Sequence, residues 1–177
     1  MKKKVVGIGA GGHAKVILDI LRKYKEYEIL GLLDIEGLRK GETLMDVPIL
    51  GGQSKLQELF LKNVKHVFMA FASLGDVEKN KIMFDKTISL GFEVINIFHS
   101  TAIISDSVIT GTGNRIFAGA IINPGTVVGD NVVINTGAIV DHDCRIGNHT
   151  QIAPGAKLAG SVIVGEGSFV GIGATII

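Results

Sequence analysis

The sequence has one cysteine, Cys144, no tryptophan, three prolines and almost no excess of charge. A lone cysteine excludes an intrachain disulfide. Chains without disulfides are at home in reducing compartments, so a cytoplasmic location is expected. Eighteen Lys and Arg stand against 17 Asp and Glu, for a formal net charge of +1. That balance removes any electrostatic reason to expect nucleic acid or an anionic membrane as partner. The apolar stretch after Met1-Lys2-Lys3-Lys4 is Val5-Val6-Gly7-Ile8-Gly9. It is too short and too broken by glycine for a signal peptide, and no run approaches a membrane span. Aromatic residues are scarce, eight Phe and two Tyr, whereas glycine numbers 24 in 177 residues. That composition suits a solenoid with many tight corners better than an ordinary globular core.

Two halves follow different periods. In the first, short β-branched runs alternate with segments of helical spacing. Strands are expected over Lys4–Ala10, Glu28–Asp34, His66–Ala72 and Phe92–Phe98. Helices are expected over His13–Tyr24, Gln53–Leu61 and Asp76–Leu90, the first with Val16, Ile17, Ile20 and Leu21 on one face. Alternating strands and helices imply a small parallel sheet covered by helices, a Rossmann-like α/β domain over 1–98.

The second half, 99–177, repeats every six residues. From Ile104 in steps of six come Thr110, Ile116, Ile122, Val128, Ile134, Val140, Ile146, Ile152, Leu158, Val164, Val170 and Ile176. All but Thr110 are Ile, Val or Leu. A small residue follows four places later at Ala120, Thr126, Ala138, Cys144, Thr150, Ala156, Ser168 and Ala174. Six residues cannot keep a helical face, but they fit one short strand and one corner. Three such units close a triangular coil of eighteen residues, and coils stack at about 4.8 Å through parallel ladders. The aliphatic and the small residue both point inward. The expected fold is therefore a parallel β-helix. Outward positions carry stripes of their own. Ile103, Ile121 and Ile139 stack on one face, and Ile109, Val127 and Ile163 on another. Exposed apolar stripes imply burial against other subunits, so a homotrimer packed through its β-helices is expected.

Two motifs carry chemistry. Gly7-Ile8-Gly9-Ala10-Gly11-Gly12-His13-Ala14-Lys15 follows the first strand and opens a helix, with Asp34 ending the second strand. Glycines allow close backbone approach to a phosphate ester, and the helix start offers free N–H groups. The α/β part is too short for a second mononucleotide half, so a nucleotide diphosphate or nucleotide sugar fits better than NAD. The second motif is Asn135-Thr136-Gly137-Ala138-Ile139-Val140-Asp141-His142-Asp143-Cys144. His142 falls at a corner and can accept a proton near neutral pH. Asp143, or less readily Asp141, would hold its tautomer. Gly160 occupies the same corner one coil later, where a bare backbone N–H suits an oxyanion donor. His99 and His149 read as ordinary polar residues, Cys144 as core packing, and no metal is expected.

Both halves together resemble the hexapeptide-repeat sugar acetyltransferases, typified by sialic acid O-acetyltransferases and by N-acetyltransferases of nucleotide-linked 4-amino-4,6-dideoxysugars. The resemblance rests on Gly9-Ala10-Gly11-Gly12-His13-Ala14-Lys15, the strand ending in Asp34, Ile97-Phe98-His99-Ser100, the segment from Ile134 to Cys144, and Pro154-Gly155-Ala156-Lys157-Leu158-Ala159-Gly160. It implies a left-handed β-helix and an enzyme that moves an acetyl group from acetyl-CoA to an amine or hydroxyl of a nucleotide-linked sugar or sialic acid. It assigns His142 as general base, Asp143 as the acidic residue beside it, and the Gly160 N–H as donor to the thioester carbonyl. It places Asn135 in the acceptor cleft. Gly9, Gly11, Gly12, His13, Lys15 and Asp34 fall at the nucleotide or sugar end. Acetyl-CoA would lie in a groove between neighbouring β-helices of a trimer.

The sequence departs from that pattern at three points. A second histidine that contacts acetyl-CoA is replaced by Gln151, which can donate a hydrogen bond but carries no charge. Strand two ends Asp34-Ile35-Glu36 instead of in paired aspartates. The repeat also stops at Ile177, in mid-repeat, where the relatives continue; solenoids need capping, so a shortened C-terminus is expected. In the relatives those later coils supply part of the CoA groove. A non-catalytic nucleotide-sugar-binding or assembly module is the alternative reading.

Overall fold

The structure is a computed structural model that describes residues 2–71 and 77–177. It divides into two compact units, one of Met1–Ala72 with Ile82–Ile95 and the other of Ser73–Lys81 with Asn96–Ile177.

The first unit is built on a six-stranded sheet. Its strands are β1 (Lys3–Ile8), β2 (Tyr27–Leu33), β3 (Thr43–Leu44), β4 (Val47–Gly51), β5 (His66–Met69) and β6 (Glu93–Val94), in the order β3-β4-β2-β1-β5-β6. Helices α1 (Gly12–Leu21), α2 (Leu56–Leu61) and, from Ile82 on, α3 (Val77–Ser89) belong to the same unit. Strand β1 is central and pairs in parallel with β2 and β5. Its Val5, Val6 and Ile8 are fully buried, as expected of a strand covered on both faces. Helix α1 turns Ile17, Leu18, Ile20 and Leu21 inward but leaves Val16 exposed, so the expected apolar face excludes Val16. Val6, Ile8, Leu33, Val67 and Met69 pack with Leu56, Met83, Phe84 and Phe92 into one core.

The expected elements recur, with three corrections. The sheet is not wholly parallel, because β3 and β4 form an antiparallel hairpin that went unread; Met45 and Asp46 take its positive-φ turn positions. Asx residues tolerate that region, but Met does not advertise it. The single strand expected over Phe92–Phe98 is two. Glu93–Val94 pairs with β5, whereas β7 (Ile97–Phe98) pairs with β10 (Arg115–Ile116), both in the second unit. The strand from His66 ends at Met69, and the expected terminus Ala72, like the expected helix start Asp76, lies outside the described residues.

In the second unit, two-residue strands form three parallel sheets, the faces of a prism. The first face stacks β19 (Phe169–Val170), β16 (Gln151–Ile152), β13 (Val133–Ile134), β10 and β7; the second β20 (Thr175–Ile176), β17 (Lys157–Leu158), β14 (Ile139–Val140), β11 (Ile121–Ile122) and β8 (Ile103–Ile104); and the third β18 (Ile163–Val164), β15 (Arg145–Ile146), β12 (Val127–Val128) and β9 (Ile109–Thr110). Each strand pairs with the one eighteen residues away: Ile121 with Ile139, Ile139 with Lys157. Inside lie the step-of-six aliphatics from Ile116 to Val170 together with Ala120, Ala138, Cys144 and Ala156. Burying such a side chain is worth about 1.5–3 kcal/mol each, so the register has strong energetic support. Thr110 and Ile104, on the first coil, are only half-buried. Four corners carry a non-glycine residue at positive φ in their third place: Asn131, Asp143, His149 and Ser161.

The outer surfaces differ. On the first face Ile97, Arg115, Val133 and Gln151 are buried. Arg115 donates to Asn131 Oδ1 at 2.7 Å, and full burial pushes its pKa down to about 9. Elsewhere the apolar stripes face outward, with Ile103, Ile109 and Ile163 at 64%, 66% and 75% exposure. No described helix is long and apolar enough to cross a membrane.

Candidate active site

The corner after β14 (Ile139–Val140) holds Asp141, His142 and Asp143. His142 is exposed, and its Nδ1 lies 2.9 Å from Asp143 Oδ2. With the proton on Nδ1, the carboxylate accepts it and Nε2 presents a lone pair. Asp143 manages this reach from the left-handed region, φ 58, which an aspartate enters more readily than most residues. Asp141 serves the backbone instead. Its Oδ1 accepts the His142 N–H at 2.8 Å and an amide N–H from Asn123 Nδ2 at 2.8 Å. Those two donors lower the Asp141 pKa. The His142 pKa is raised, first by the Asp143 hydrogen bond and then by the negative charge of Asp141. Both carboxylates thus favour the imidazolium.

Gly160, one coil on, lies under the imidazole. A β-carbon there would fall 2.5 Å from His142 Nε2 and 2.6 Å from Cε1. Backbone hydrogen bonds set this stacking, with Asp143 N–H donating to Pro124 O and Ser161 N–H to His142 O. The Gly160 N–H donates to no described acceptor. The imidazole and the Gly160 backbone are thereby adjacent.

The other two β-helix residues of interest are not in this corner. Asn135 is half-buried in the corner joining the first and second faces, its Oδ1 accepting the Thr136 N–H. Gln151 lies on the first face between Val133 and Phe169. It is 6% exposed, and its Nε2 has no hydrogen-bond partner. His149 is buried and reaches Asn131 Nδ2 through Nδ1 at 3.0 Å. Cys144 is buried in the prism core.

In the first unit, the glycine turn sits at the C-terminal ends of β1 and β2, joined by the bond from Gly9 N–H to Leu33 O. Such strand ends are where α/β sheets bind ligands. The glycines divide into two kinds. A β-carbon at Gly7 would meet Leu32 and Phe68 at 2.5 Å, and Gly9 holds φ 116 with Ala70 at 2.8 Å. These two serve packing and the turn. Gly11 and Gly12 face open space, as a site for close approach requires. His13 is half-buried and Lys15 exposed in the first turns of α1. Asp34 is half-buried, and its Oδ2 accepts the Leu38 N–H at 3.0 Å, so it shapes its own loop.

Sequence reasoning missed Arg39, which donates from Nη1 to Ala10 O at 2.6 Å and ties that loop to the glycine turn. Nothing in a separation of 29 residues signals the contact. It also missed Asn123 and Gly125, one coil before the histidine corner, although the eighteen-residue step points to both.

Comparison with known proteins agrees with this layout. The PglD N-terminal domain family matches residues 4–87, and the bacterial transferase hexapeptide (six repeats) family matches residues 143–177. No curated protein sequence matches. Among solved structures, the acetyltransferase domain of PglB from Neisseria gonorrhoeae, in complex with acetyl coenzyme A, is 32% identical. That match covers 99% of this chain and 82% of the other, with a TM-score of 0.87. PerB from Caulobacter crescentus, in complex with CoA and GDP-perosamine, is 31% identical over 98% of this chain and 91% of the other, TM-score 0.79. WeeI from Acinetobacter baumannii shares the fold at 19% identity and a TM-score of 0.66. With an α/β domain leading into a left-handed hexapeptide β-helix, and with these matches across nearly its whole length, the chain belongs to the hexapeptide-repeat sugar acetyltransferases.

Proposed function

We propose that this chain transfers the acetyl group of acetyl-CoA to an amine or hydroxyl of a nucleotide-linked sugar, with His142 as general base. The observation that carries the reading is the His142 corner. One carboxylate holds Nδ1, which leaves Nε2 as the ring's proton acceptor, and the Gly160 backbone lies against that atom. His142 Nε2 takes the proton from the acceptor as the acceptor attacks the thioester carbonyl. In this reading the Gly160 N–H donates a hydrogen bond to the developing oxyanion, and the imidazolium gives the proton to the departing thiolate. A sugar amine must attack in its neutral form, which its electron-withdrawing ring favours near pH 7. The relatives support the donor and the acceptor class, since PglB holds acetyl coenzyme A and PerB holds CoA with GDP-perosamine.

In this reading the nucleotide end is served by Gly9, Gly11, Gly12, His13, Lys15 and Asp34, and the acceptor cleft by Asn135. Gln151 is offered to acetyl-CoA, and its buried, unpartnered amide is what a ligand acceptor would satisfy. His142, Asn135 and Gln151 stand on different corners and faces of one prism. Neighbouring β-helices of a homotrimer, packed through Ile103, Ile109 and Ile163, would bring such residues to shared grooves. The test is an acetyl-transfer assay over nucleotide-linked amino sugars and sialic acid, alongside acetyl-CoA binding by thermal shift. His142→Ala should lower turnover by about 100-fold or more with unchanged melting. Stabilisation by a nucleotide sugar with none by acetyl-CoA would instead identify a binding module.

A further inference from the structure

The corner one coil before His142 reads Asn123-Pro124-Gly125-Thr126, and Gly125 stacks on Asp143. A β-carbon on Gly125 would collide with Asp143 Oδ1, and it would lie 3.3 Å from the carboxylate carbon. The other oxygen of that carboxylate, Oδ2, is the one that meets His142 Nδ1. The carboxylate therefore occupies a slot bounded by a bare Cα on one side and the imidazole on the other.

Two other corners also leave room for a side-chain oxygen above a glycine, there at the first place of the corner and from the residue nineteen positions on. A β-carbon on Gly111 would meet Asp130 Oδ1, and one on Gly129 would meet Asn148 Oδ1. In both, the oxygen is fastened to the backbone of the earlier coil. Asp130 Oδ1 accepts the Thr112 N–H at 2.7 Å, and Asn148 Oδ1 accepts the Asp130 N–H at 2.9 Å. Those contacts hold coils together. At Gly125 the backbone N–H goes to Ser107 Oγ instead, and the seated carboxylate spends its hydrogen bond on the imidazole.

Backbone conformation does not by itself require glycine here. Gly125 has φ 77, but the same corner position elsewhere accepts Asn131 at φ 55 and Ser161 at φ 63. What the site does require is the missing side chain.

We infer that Gly125 is a positioning residue for the acetyl transfer, keeping open the seat from which Asp143 grips His142 Nδ1. The inference rests on the proposed role of His142 as base. The charged groups near the imidazole are Asp143 on its own corner and Asp141 at the corner's start. The residues stacked on it from adjacent coils, Pro124 and Gly160, carry no charge.

The test is the titration of His142 in the full chain, followed by NMR of labelled histidine, together with kcat against pH. Gly125→Ala should bring the His142 pKa down, in the same direction as Asp143→Asn, and should lower kcat about tenfold. In the Asp143→Asn background the Gly125→Ala change should have no further effect on that pKa. Gly119→Ala is the control. Gly119 has φ 66 at an equivalent corner, yet a β-carbon there meets nothing within 4 Å, so its pKa and kcat should match the parent. Should Gly125→Ala not fold, Gly125→Asn tolerates positive φ and fills the same seat. A His142 pKa unmoved by filling Gly125, while Asp143→Asn moves it, overturns the inference. A pKa that shifts as expected while the kcat profile stays put leaves the positioning intact and removes His142 as the base.

Discussion

Gly160 lies one coil beyond His142, and a β-carbon added to it would stand 2.5 Å from the imidazole Nε2. The atom it would meet is the one proposed to take the proton. Gly160 does not carry a positive φ, so alanine suits its backbone. Gly160→Ala keeps the N–H donor but pushes the ring away. Turnover should fall by roughly 10- to 100-fold, since a general base contributes about 10²–10⁴ only when placed within hydrogen-bond reach. The melting temperature should barely change. Unaltered kcat in a folded Gly160→Ala variant would show that the ring position does not matter.

The pH dependence follows from the two carboxylates. His142 must be neutral to accept a proton, and its pKa is raised above 6.5 by the Asp143 hydrogen bond and by Asp141. A raised pKa means the protonated, inactive form persists to higher pH. The rate should therefore climb with pH through a midpoint above 6.5. Asp143→Asn removes the larger cause and should move that midpoint down, while lowering the plateau because the ring loses its tether. The check is kcat measured from pH 5 to 9. A wild-type midpoint below 6.5 would contradict the geometry.

Much of this corner was legible because the β-helix is a one-dimensional register. Once Ile122, Val140 and Leu158 are read as inward, Pro124, His142 and Gly160 must stack, and so must Asn123, Asp141 and Ala159. The roles within the corner were harder. Asp141 and Asp143 flank the histidine symmetrically in sequence, and only the left-handed turn at Asp143 sends its carboxylate back to Nδ1 while Asp141 caps the backbone. In the α/β unit the periodicity marked the buried strands and helices. It missed the hairpin at Thr43–Gly51, whose turn uses Met45 and Asp46, and it missed Arg39, because a side chain bridging to Ala10 leaves no local pattern.

The glycine motif separates experimentally into its two kinds. Gly7→Ala forces a methyl against Leu32 and Phe68 at 2.5 Å in the central strand. It should cost about 1–3 kcal/mol of stability, as overpacking does. Gly12→Ala meets open space at the start of α1 and should leave stability unchanged or raise it by up to about 1 kcal/mol. In the proposed reading it also obstructs the nucleotide sugar, so binding should weaken while melting does not. Denaturant unfolding and isothermal titration on both variants decide the matter. Weakened stability in Gly12→Ala would reassign it to the packing class.

Gln151 offers a case in which stability and binding should move in opposite directions. Its side chain is buried on the first face, between Val133 and Phe169, and its Nε2 lacks a partner. A buried donor left unsatisfied costs about 1–3 kcal/mol, which a bound acceptor would relieve. Gln151→Leu is somewhat smaller, apolar and has no donor, so the ligand-free chain should melt at the same temperature or higher. If the amide serves acetyl-CoA, the same change should weaken acetyl-CoA binding by about fivefold or more, the equivalent of one neutral hydrogen bond at roughly 1 kcal/mol. Thermal shift with and without acetyl-CoA reads both effects in one experiment. The stabilising increment from acetyl-CoA should shrink in Gln151→Leu even as the baseline rises. Equal increments in the two proteins would mean that the orphan amide faces something other than the acyl donor.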